Sequence, residues 1–166
     1  MADYIYTIIS RPVKTKNNEE FAKVFQDLGF EETYYSKSDD TVWVGSYGEA
    51  YWDDDSMIVV RDRNTNKVIG GYNCYGGAEN LDEFIDQEGI ELKDEEEVED
   101  LYDEIDIETY VKDMLLDGQA FVITEAGNEK LRYNNGWGLI ITKDETKCFD
   151  INRLIDNYLQ DKNLLG

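Results

Sequence analysis

An acidic stretch between residues 79 and 117 constrains this chain more than any other feature. It contains eighteen aspartates and glutamates against two lysines, Lys93 and Lys112, and carries a charge of −16 out of −22 for all 166 residues. Like charges repel across a helix turn or a strand pair, so these side chains must face solvent or a cationic partner. The stretch therefore predicts a strongly negative surface.

Within this stretch, residues 94–106 have the spacing of an amphipathic helix. Val98, Leu101, Tyr102 and Ile105 recur at intervals of three and four. Nine of the thirteen residues are acidic, which at a rise of about 1.5 Å per residue gives roughly one charge per 2 Å of helix axis. Duplex DNA carries about one charge per 1.7 Å, so the predicted helix matches the linear charge density of nucleic acid.

Solubility is the alternative explanation of this charge. The helix dipole favours acids in a first turn, Asp94 suits the N-cap, and an acidic helix can be a solvated face. Four like-charge pairs at i,i+4, however, each cost roughly 0.2–0.5 kcal/mol. They are Glu95–Glu99, Glu96–Asp100, Glu99–Asp103 and Asp100–Glu104. A sequence selected only for a soluble helix would carry lysine at some of these positions, and both explanations stay open.

The composition and charge of the chain restrict the cellular compartment and the binding partners that we expect. With 41% hydrophobic residues the chain can bury a core, and it has no apolar run near the length of a transmembrane helix. Its first residues lack the pattern of a signal peptide, and Cys74 and Cys148 have no metal-ligand spacing, which together predict a cytoplasmic protein with reduced thiols. The negative charge disfavours nucleic acid and anionic membranes as direct partners and favours a basic protein.

The first half of the chain reads as a sheet with one packed helix. Period-two and β-branched patterns predict strands, and a stripe of apolar residues closed by Gly29 predicts a helix that begins at Asn17 or Asn18. The predicted strands are 4–9, 33–36, 41–46, 57–61 and 68–74, with a polar hairpin turn over 62–67.

The second half reads as acidic helices followed by a hairpin. Asn80 is a predicted N-cap, helices follow through residue 115, and residues 121–124 are ambiguous between strand and helix. Asn134-Asn135-Gly136 predicts a hairpin turn, and Asp150 predicts the cap of a last helix. The class is α+β, with an antiparallel sheet-rich N-terminal half, an acidic helical middle and a C-terminal hairpin plus helix. A seam divides it into lobes 1–78 and 79–166, which can also form one continuous domain.

No motif for catalysis, metal or cofactor binding emerges. Histidine is absent, which removes the commonest general base and metal ligand. Residues 62–67 match three ligand positions of a calcium loop, but Lys67 replaces its glycine and Asn73 its bidentate glutamate. Three consecutive aspartates at 53–55 cannot all converge on one ion from a strand, so a solvated turn is expected there. We expect no enzyme, no cofactor and no metal.

In charge, size and lack of catalytic motifs, the chain resembles DNA-mimic inhibitors of phages and mobile elements, such as anti-restriction and some anti-CRISPR proteins. The resemblance implies an acidic inhibitor that occupies the Lys/Arg channel of a nucleic-acid-binding enzyme. The acids expected to bind that channel are Glu95, Glu96, Glu97, Glu99, Asp100, Asp103 and Glu104. A second contact is expected from Asp53, Asp54 and Asp55 beside two aromatic hot-spot residues, Tyr51 and Trp52.

Three other functions stay open at this point. An immunity protein that neutralises a basic nuclease toxin needs the same electrostatics and differs only in its partner. A non-catalytic accessory domain needs the acidity only for solubility, and a carboxylate-based enzyme needs two acids with separated pKa values in one pocket. A homodimer that lengthens the charged surface is compatible with each of the binding functions.

Overall fold

The computed structural model describes residues 4–48, 52–93, 95–129 and 133–164, with side chains described outside 4–6, 128–129 and 133–135. In these residues the chain forms ten strands and five helices, and every strand pair is antiparallel. The elements in chain order are β1 Tyr4–Ser10, α1 Asn18–Asp27, β2 Tyr34–Ser36, β3 Thr41–Trp43, β4 Gly45–Tyr47, β5 Met57–Asp62, β6 Val68–Asn73, α2 Leu81–Gln87, α3 Val98–Leu101, β7 Tyr102–Asp106, α4 Ile107–Met114, β8 Phe121–Glu129, β9 Tyr133–Ile141, β10 Thr146–Asp150 and α5 Ile151–Asp161. The predicted α+β class is confirmed.

The main core lies on one face of a five-stranded sheet with the strand order β10-β9-β8-β1-β4. Alternate residues of its strands point to this face and are almost completely buried, among them Ile8, Ile123 and Leu139. Helices α1 and α4 contribute to the same core. Phe21 and Phe25 of α1 both lie 5.8 Å from the ring of Phe121, measured between centroids.

Helix α1 follows the sequence prediction at both ends. The side chain of Asn17 accepts a hydrogen bond from the backbone N–H of Glu20, as an N-cap does. The helix buries the apolar stripe that includes Phe21, Val24 and Phe25. It ends just before Gly29, which has a φ of 101°, a left-handed conformation that suits glycine at a helix C-terminus.

A second, smaller core lies under the three-stranded sheet β6-β5-β7. Val60 and Tyr72 of this sheet pack with Phe84 and Ile85 of α2 and with Val98 of α3. The sheet also approaches α1 closely at Gly70, whose φ is 155°. A Cβ added there would lie 2.9 Å from a carboxylate oxygen of Asp27 and 3.2 Å from the ring of Phe84.

The polar turn at 62–67 forms the predicted hairpin between β5 and β6. Asp62 donates its backbone N–H to the carbonyl of Lys67 over 2.8 Å, and its side chain accepts from the N–H groups of Asn64 and Thr65. Asn66 adopts the left-handed conformation, with a φ of 58°. The carboxylate of Asp62 therefore satisfies the turn's own backbone.

The prediction of one helix over 94–106 is wrong. Helix α3 contains only four residues, Val98–Leu101, and the chain then extends into β7, whose residues 102–106 pair with β5. The i,i+4 repulsion between acids weakens a continuous helix, whereas pairing with β5 brings Asp103 to two arginines, Arg61 and Arg63. The predicted N-cap, Asp94, lies outside the described residues.

The prediction of a hairpin turn at Asn134–Gly136 is also wrong. Strand β9 runs through these residues and pairs with β8 from Phe121–Ile141 to Glu129–Tyr133, so the connection lies at 130–132, outside the described residues. Gly136 serves instead as a point of close approach, because a Cβ there would lie 2.9 Å from Ile151. A turn over 142–145 joins β9 to β10, and Thr142 accepts the N–H groups of Asp144 and Glu145.

The remaining predicted strands of the first half are present, with ends that differ by no more than one residue, and two predictions are refined. The strand expected over 41–46 is two strands, because β3 pairs with β2 and β4 pairs with β1. The ambiguous residues 121–124 belong to β8. Asn80 and Asp150 cap α2 and α5 as predicted. Two strand pairs, β1–β8 and β5–β7, connect the predicted lobes 1–78 and 79–166, because each pair has one strand from either lobe.

Candidate functional site

The largest concentration of exposed charge lies on the segment that carries α2 and α3. Across the described residues from 79 to 100, every acid is exposed and Lys93 is the single cation. We call these eleven acids the α2–α3 surface: Glu79, Asp82, Glu83, Asp86, Glu88, Glu91, Glu95, Glu96, Glu97, Glu99 and Asp100.

The second core holds this surface in place from beneath. Phe84, Ile85 and Val98 are buried, so the acids between them turn outward. Asn80 accepts the N–H of Glu83 over 2.9 Å and begins α2. The apolar side chains on the inner side therefore attach this segment to the sheet. The acidic side chains on its outer side remain exposed.

Five of the seven acids predicted in this region lie together on the α2–α3 surface, namely Glu95, Glu96, Glu97, Glu99 and Asp100. Glu95 has a φ of 73°, a left-handed conformation that is uncommon for a residue with a side chain. A carboxylate oxygen of Glu96 accepts the N–H of Lys93 over 2.9 Å.

The other two predicted acids, Asp103 and Glu104, lie on opposite faces of β7 and have partners within the protein. Oδ1 of Asp103 lies 2.6 Å from Nε of Arg63, and its Oδ2 lies 3.3 Å from Nη2 of Arg61. These two guanidinium groups lower the pKa of the Asp103 carboxyl. Glu104 accepts a hydrogen bond from the hydroxyl of Tyr72, whose pKa is raised by burial and by this carboxylate. Asp103 and Glu104 are therefore less free to meet a partner than the α3 acids are.

Because residues 102–106 form the extended strand β7, their linear charge density is lower than that of the helix predicted over 94–106. The three acids of β7, Asp103, Glu104 and Asp106, occupy five residues, which at about 3.3 Å per residue gives roughly one charge per 5–6 Å. The density of duplex DNA is about one charge per 1.7 Å. The compact α2–α3 surface, rather than a single straight helix, carries the strongest negative charge.

The second predicted contact lies on the turn that precedes β5. The carboxylate of Asp53 accepts the backbone N–H of Asp55 over 3.0 Å, while Asp54 and Asp55 are exposed, as expected of a solvated turn. Although Asp54 is exposed, partial desolvation raises the pKa of its carboxyl. The hydrogen bond from Trp52 lowers this pKa, and the negative charges of Glu108, Asp55 and Asp53 raise it further. Tyr51 lies outside the described residues.

Trp52 lines a cavity of about 350 Å³ together with Glu125, Gly136, Trp137 and Asp150, which we call the Trp52 pocket. The indole of Trp52 lies 6.2 Å from the ring of Phe25 and 5.9 Å from that of Phe121, so the main core fixes its position. Its Nε1 donates a hydrogen bond to Asp54. The pocket thus combines two indoles with two carboxylates.

Strand register explains why these residues meet. Glu125 of β8 pairs with Trp137 of β9, and Trp137 pairs with Asp150 of β10, so the three side chains point to the same face of the sheet. Glu125 is half-buried there, and burial raises its pKa. Sequence reasoning missed Glu125, Trp137 and Asp150 as pocket residues, because nothing in the local pattern reveals the register between strands.

The two acidic regions lie at opposite ends of one strand pair. The 53–55 turn precedes the start of β5, whereas α3 adjoins the far end, where Asp62 pairs with Tyr102. The six residues of β5 span roughly 17 Å at about 3.3 Å per residue. The two ends of this strand are therefore no farther apart than the width of an ordinary protein interface.

No group of three or more Cys, Asp or Glu side chains in the described parts of the chain is arranged to hold a metal ion. None of the described helices combines the length and the apolar character needed to cross a membrane. Comparison with protein-family models, with curated proteins and with solved structures finds no match to this chain.

Proposed function

We propose that this protein is an acidic inhibitor that binds a basic nucleic-acid-binding protein and blocks its nucleic-acid channel. The observation that carries the proposal is the α2–α3 surface, where eleven exposed acids accompany one lysine on a segment anchored by its own core. Glu95, Glu96, Glu97, Glu99 and Asp100 form its most compact part. In the proposed complex these carboxylates take the place of phosphates opposite lysines and arginines.

The Trp52 pocket supplies a second contact in this proposal. A lysine or arginine side chain of the partner would lie against the indoles of Trp52 and Trp137 and meet the carboxylates of Glu125 and Asp150. Such a cation would also favour the charged form of Glu125, whose pKa is raised by burial in the free protein. The pocket would act as an anchor, and the α2–α3 surface as the source of long-range attraction.

The proposal includes no catalytic step, and it places the protein in the cytoplasm with its target. Cys74 and Cys148 are both free thiols, which suits a reducing compartment. Partial desolvation raises the pKa of both thiols, so that each carries less thiolate near neutral pH than a cysteine of ordinary pKa.

The test compares two variants that each remove five charges, changing the net charge from −22 to −17. The first replaces Glu95, Glu96, Glu97, Glu99 and Asp100 with Gln or Asn. The matched control replaces five exposed acids elsewhere, Glu19, Glu31, Glu32, Asp144 and Glu145. Wild-type protein is used to capture partners from a host lysate at low salt, and each captured protein is purified and assayed with its own nucleic acid.

We expect the wild type to inhibit nucleic-acid binding by a captured protein and duplex DNA to compete with the inhibitor. Raising the salt from about 50 to about 500 mM should release the complex, because screening becomes effective within a few ångströms. The first variant should bind at least about tenfold more weakly than the control, a difference of about 1.4 kcal/mol. Equal binding by the two variants, or binding that is insensitive to salt, would overturn the proposal. A captured nuclease toxin would identify an immunity protein instead.

A further inference from the structure

Helix α5 has an apolar face that the other described residues leave at least half exposed. Ile151, Leu154, Ile155 and Tyr158 are exposed to 50%, 51%, 52% and 61%, and their spacing places them on one side of the helix. None of the eleven residues of α5, all of which are described, is buried. A solvated helix normally turns such a stripe toward a core, so this stripe fits a partner surface.

The sheet holds α5 mainly through its first turn. Asp150 accepts the backbone N–H of Arg153 over 2.9 Å and caps the helix. The side chain of Ile151 lies close over Gly136 of β9, where a Cβ would come within 2.9 Å of it. Phe149 and Leu164, exposed to 38% and 56%, lie just beyond the two ends of the helix in the sequence, and we count them with this apolar patch.

Charge distinguishes this patch from the acidic surfaces. Residues 146–164 contain three basic residues, Lys147, Arg153 and Lys162, and three acids, Asp150, Asp156 and Asp161, so their net charge is zero. Two molecules that each carry −22 repel one another least where the local charge is balanced. A basic protein gains no electrostatic attraction at this patch, whereas a second copy of the chain brings a matching apolar face.

The four apolar positions of the exposed stripe are spaced symmetrically about the point between Leu154 and Ile155. A two-fold axis that crosses α5 between Leu154 and Ile155 brings Ile151 of one copy to the level of Tyr158 of the other. The same axis brings Leu154 to the level of Ile155. Every exposed large apolar residue of the helix therefore meets another when two α5 helices pack antiparallel.

We propose that α5 is a homodimer interface in which two copies of the helix pack antiparallel across a two-fold axis. At roughly 200 Å² for a large side chain, the exposed fractions of the six apolar residues sum to roughly 600 Å² per copy. If all of this area were covered, two copies would bury at most about 1,200 Å², which is the lower limit of stable specific interfaces. The dimer is independent of the proposed function, although it would give an inhibitor two sets of acidic surfaces and hence avidity.

The test is the mass of the whole protein in solution, measured by sedimentation equilibrium over a range of micromolar concentrations. One variant, Ile155→Lys, places a charge in the centre of the stripe. The matched control, Gln160→Lys, adds the same charge at an exposed position on the opposite side of α5. Because Ile155 is half exposed, its replacement leaves the core intact, which circular dichroism and the unfolding midpoint of the variant verify.

We expect the wild type and Gln160→Lys to reach twice the 19.3 kDa mass of one chain. Ile155→Lys should raise the dimer dissociation constant by about 100-fold or more, because symmetry places two such lysines in one interface. A monomeric wild type would overturn the proposal, as would an Ile155→Lys protein that dimerises as tightly as Gln160→Lys. These outcomes do not depend on whether the protein inhibits a nucleic-acid enzyme.

Discussion

At the scale of single residues, Glu125 couples the Trp52 pocket to pH. Burial raises the pKa of its carboxyl above that of the unfolded chain, so the folded protein binds the proton more tightly. Its charged form therefore opposes folding at neutral pH. This unfavourable contribution of Glu125 disappears as the pH falls through the folded pKa toward the unfolded pKa of about 4.3.

Replacement of Glu125 by Gln should raise the free energy of unfolding at pH 7 by roughly 0.5 kcal/mol, the scale of changes outside the core. It should also reduce the stability gained between pH 7 and pH 5. Urea unfolding at both pH values measures the two effects. Glu31→Gln, an exposed position, removes the same charge and serves as the control. A variant with the wild-type difference between pH 7 and pH 5 would contradict this account.

Residue roles were predictable where the partner is close in the sequence. Asn17, Asn80 and Asp150 were identified as caps because each cap binds a backbone N–H only three residues away. Asp103 was assigned to a partner surface, yet its two arginines precede it by 40 and 42 positions. A sequence shows the first kind of contact directly, and the second kind only after strand pairing is known.

At the scale of elements, α3 and β7 show how one pattern can serve two structures. Apolar residues at 98, 101, 102 and 105 have the spacing of a helix, but Tyr102 and Ile105 also suit the strand, because they lie on opposite faces of β7, where Tyr102 packs against the second core and Ile105 against the main core. The extended form wins because β5 offers β7 a complete ladder of five residue pairs. The long β8–β9 ladder likewise overrides the Asn-Gly turn signal.

Val98 should be the residue on which the position of α3 depends most. It is 7% exposed and joins the second core, so Val98→Ala should lower the free energy of unfolding by roughly 1–2 kcal/mol. Amide hydrogens of α2 and α3 should then exchange faster, while those of the five-stranded sheet change less. Hydrogen exchange monitored by mass spectrometry resolves the two regions.

The control for this change is Leu92→Ala in the same segment. Leu92 is 36% exposed and belongs to neither core, so its loss should alter stability by less than about 0.5 kcal/mol. Similar exchange rates in the two variants would mean that Val98 does not anchor α3. The α2–α3 surface would then lack the fixed geometry on which the proposed inhibitor depends.

At the scale of the whole molecule, the net charge of −22 works against the folded state. Compaction brings acids closer together, and salt screens them, with a Debye length that falls from about 30 Å at 0.01 M to about 10 Å at 0.1 M. Sodium chloride should therefore raise the melting temperature across this range, by about 5 °C or more for a domain of this size. Calorimetry at several salt concentrations measures the rise.

The variant without the five acids at 95–97, 99 and 100 gives the internal control for this prediction. Its net charge is −17, and the removed charges are closely spaced, so its melting temperature should depend less on salt than that of the wild type. An equal or larger dependence would place the main repulsion elsewhere in the molecule.

Composition and local pattern were enough to predict the class of the whole molecule, because an α+β mixture requires only that helices and strands be recognised. They were not enough for the arrangement of its sheets. The strand order β10-β9-β8-β1-β4 sets β1 between β8 and β4, and no neighbouring pattern in the sequence indicates that pairing. The Trp52 pocket and the exposed face of α5 both depend on this order.

The place of β1 between β8 and β4 also governs how the chain can fold as it is made. The hydroxyl of Thr124 contacts the carbonyl of Ile9 across 115 positions of sequence, so one edge of β1 stays unpaired until β8 has left the ribosome. Contacts of such high sequence separation slow folding, because a long loop must close before they form. The five-stranded sheet is therefore among the last parts to form, and the nascent chain must remain dissolved until then, a task for which its abundant acids are well suited.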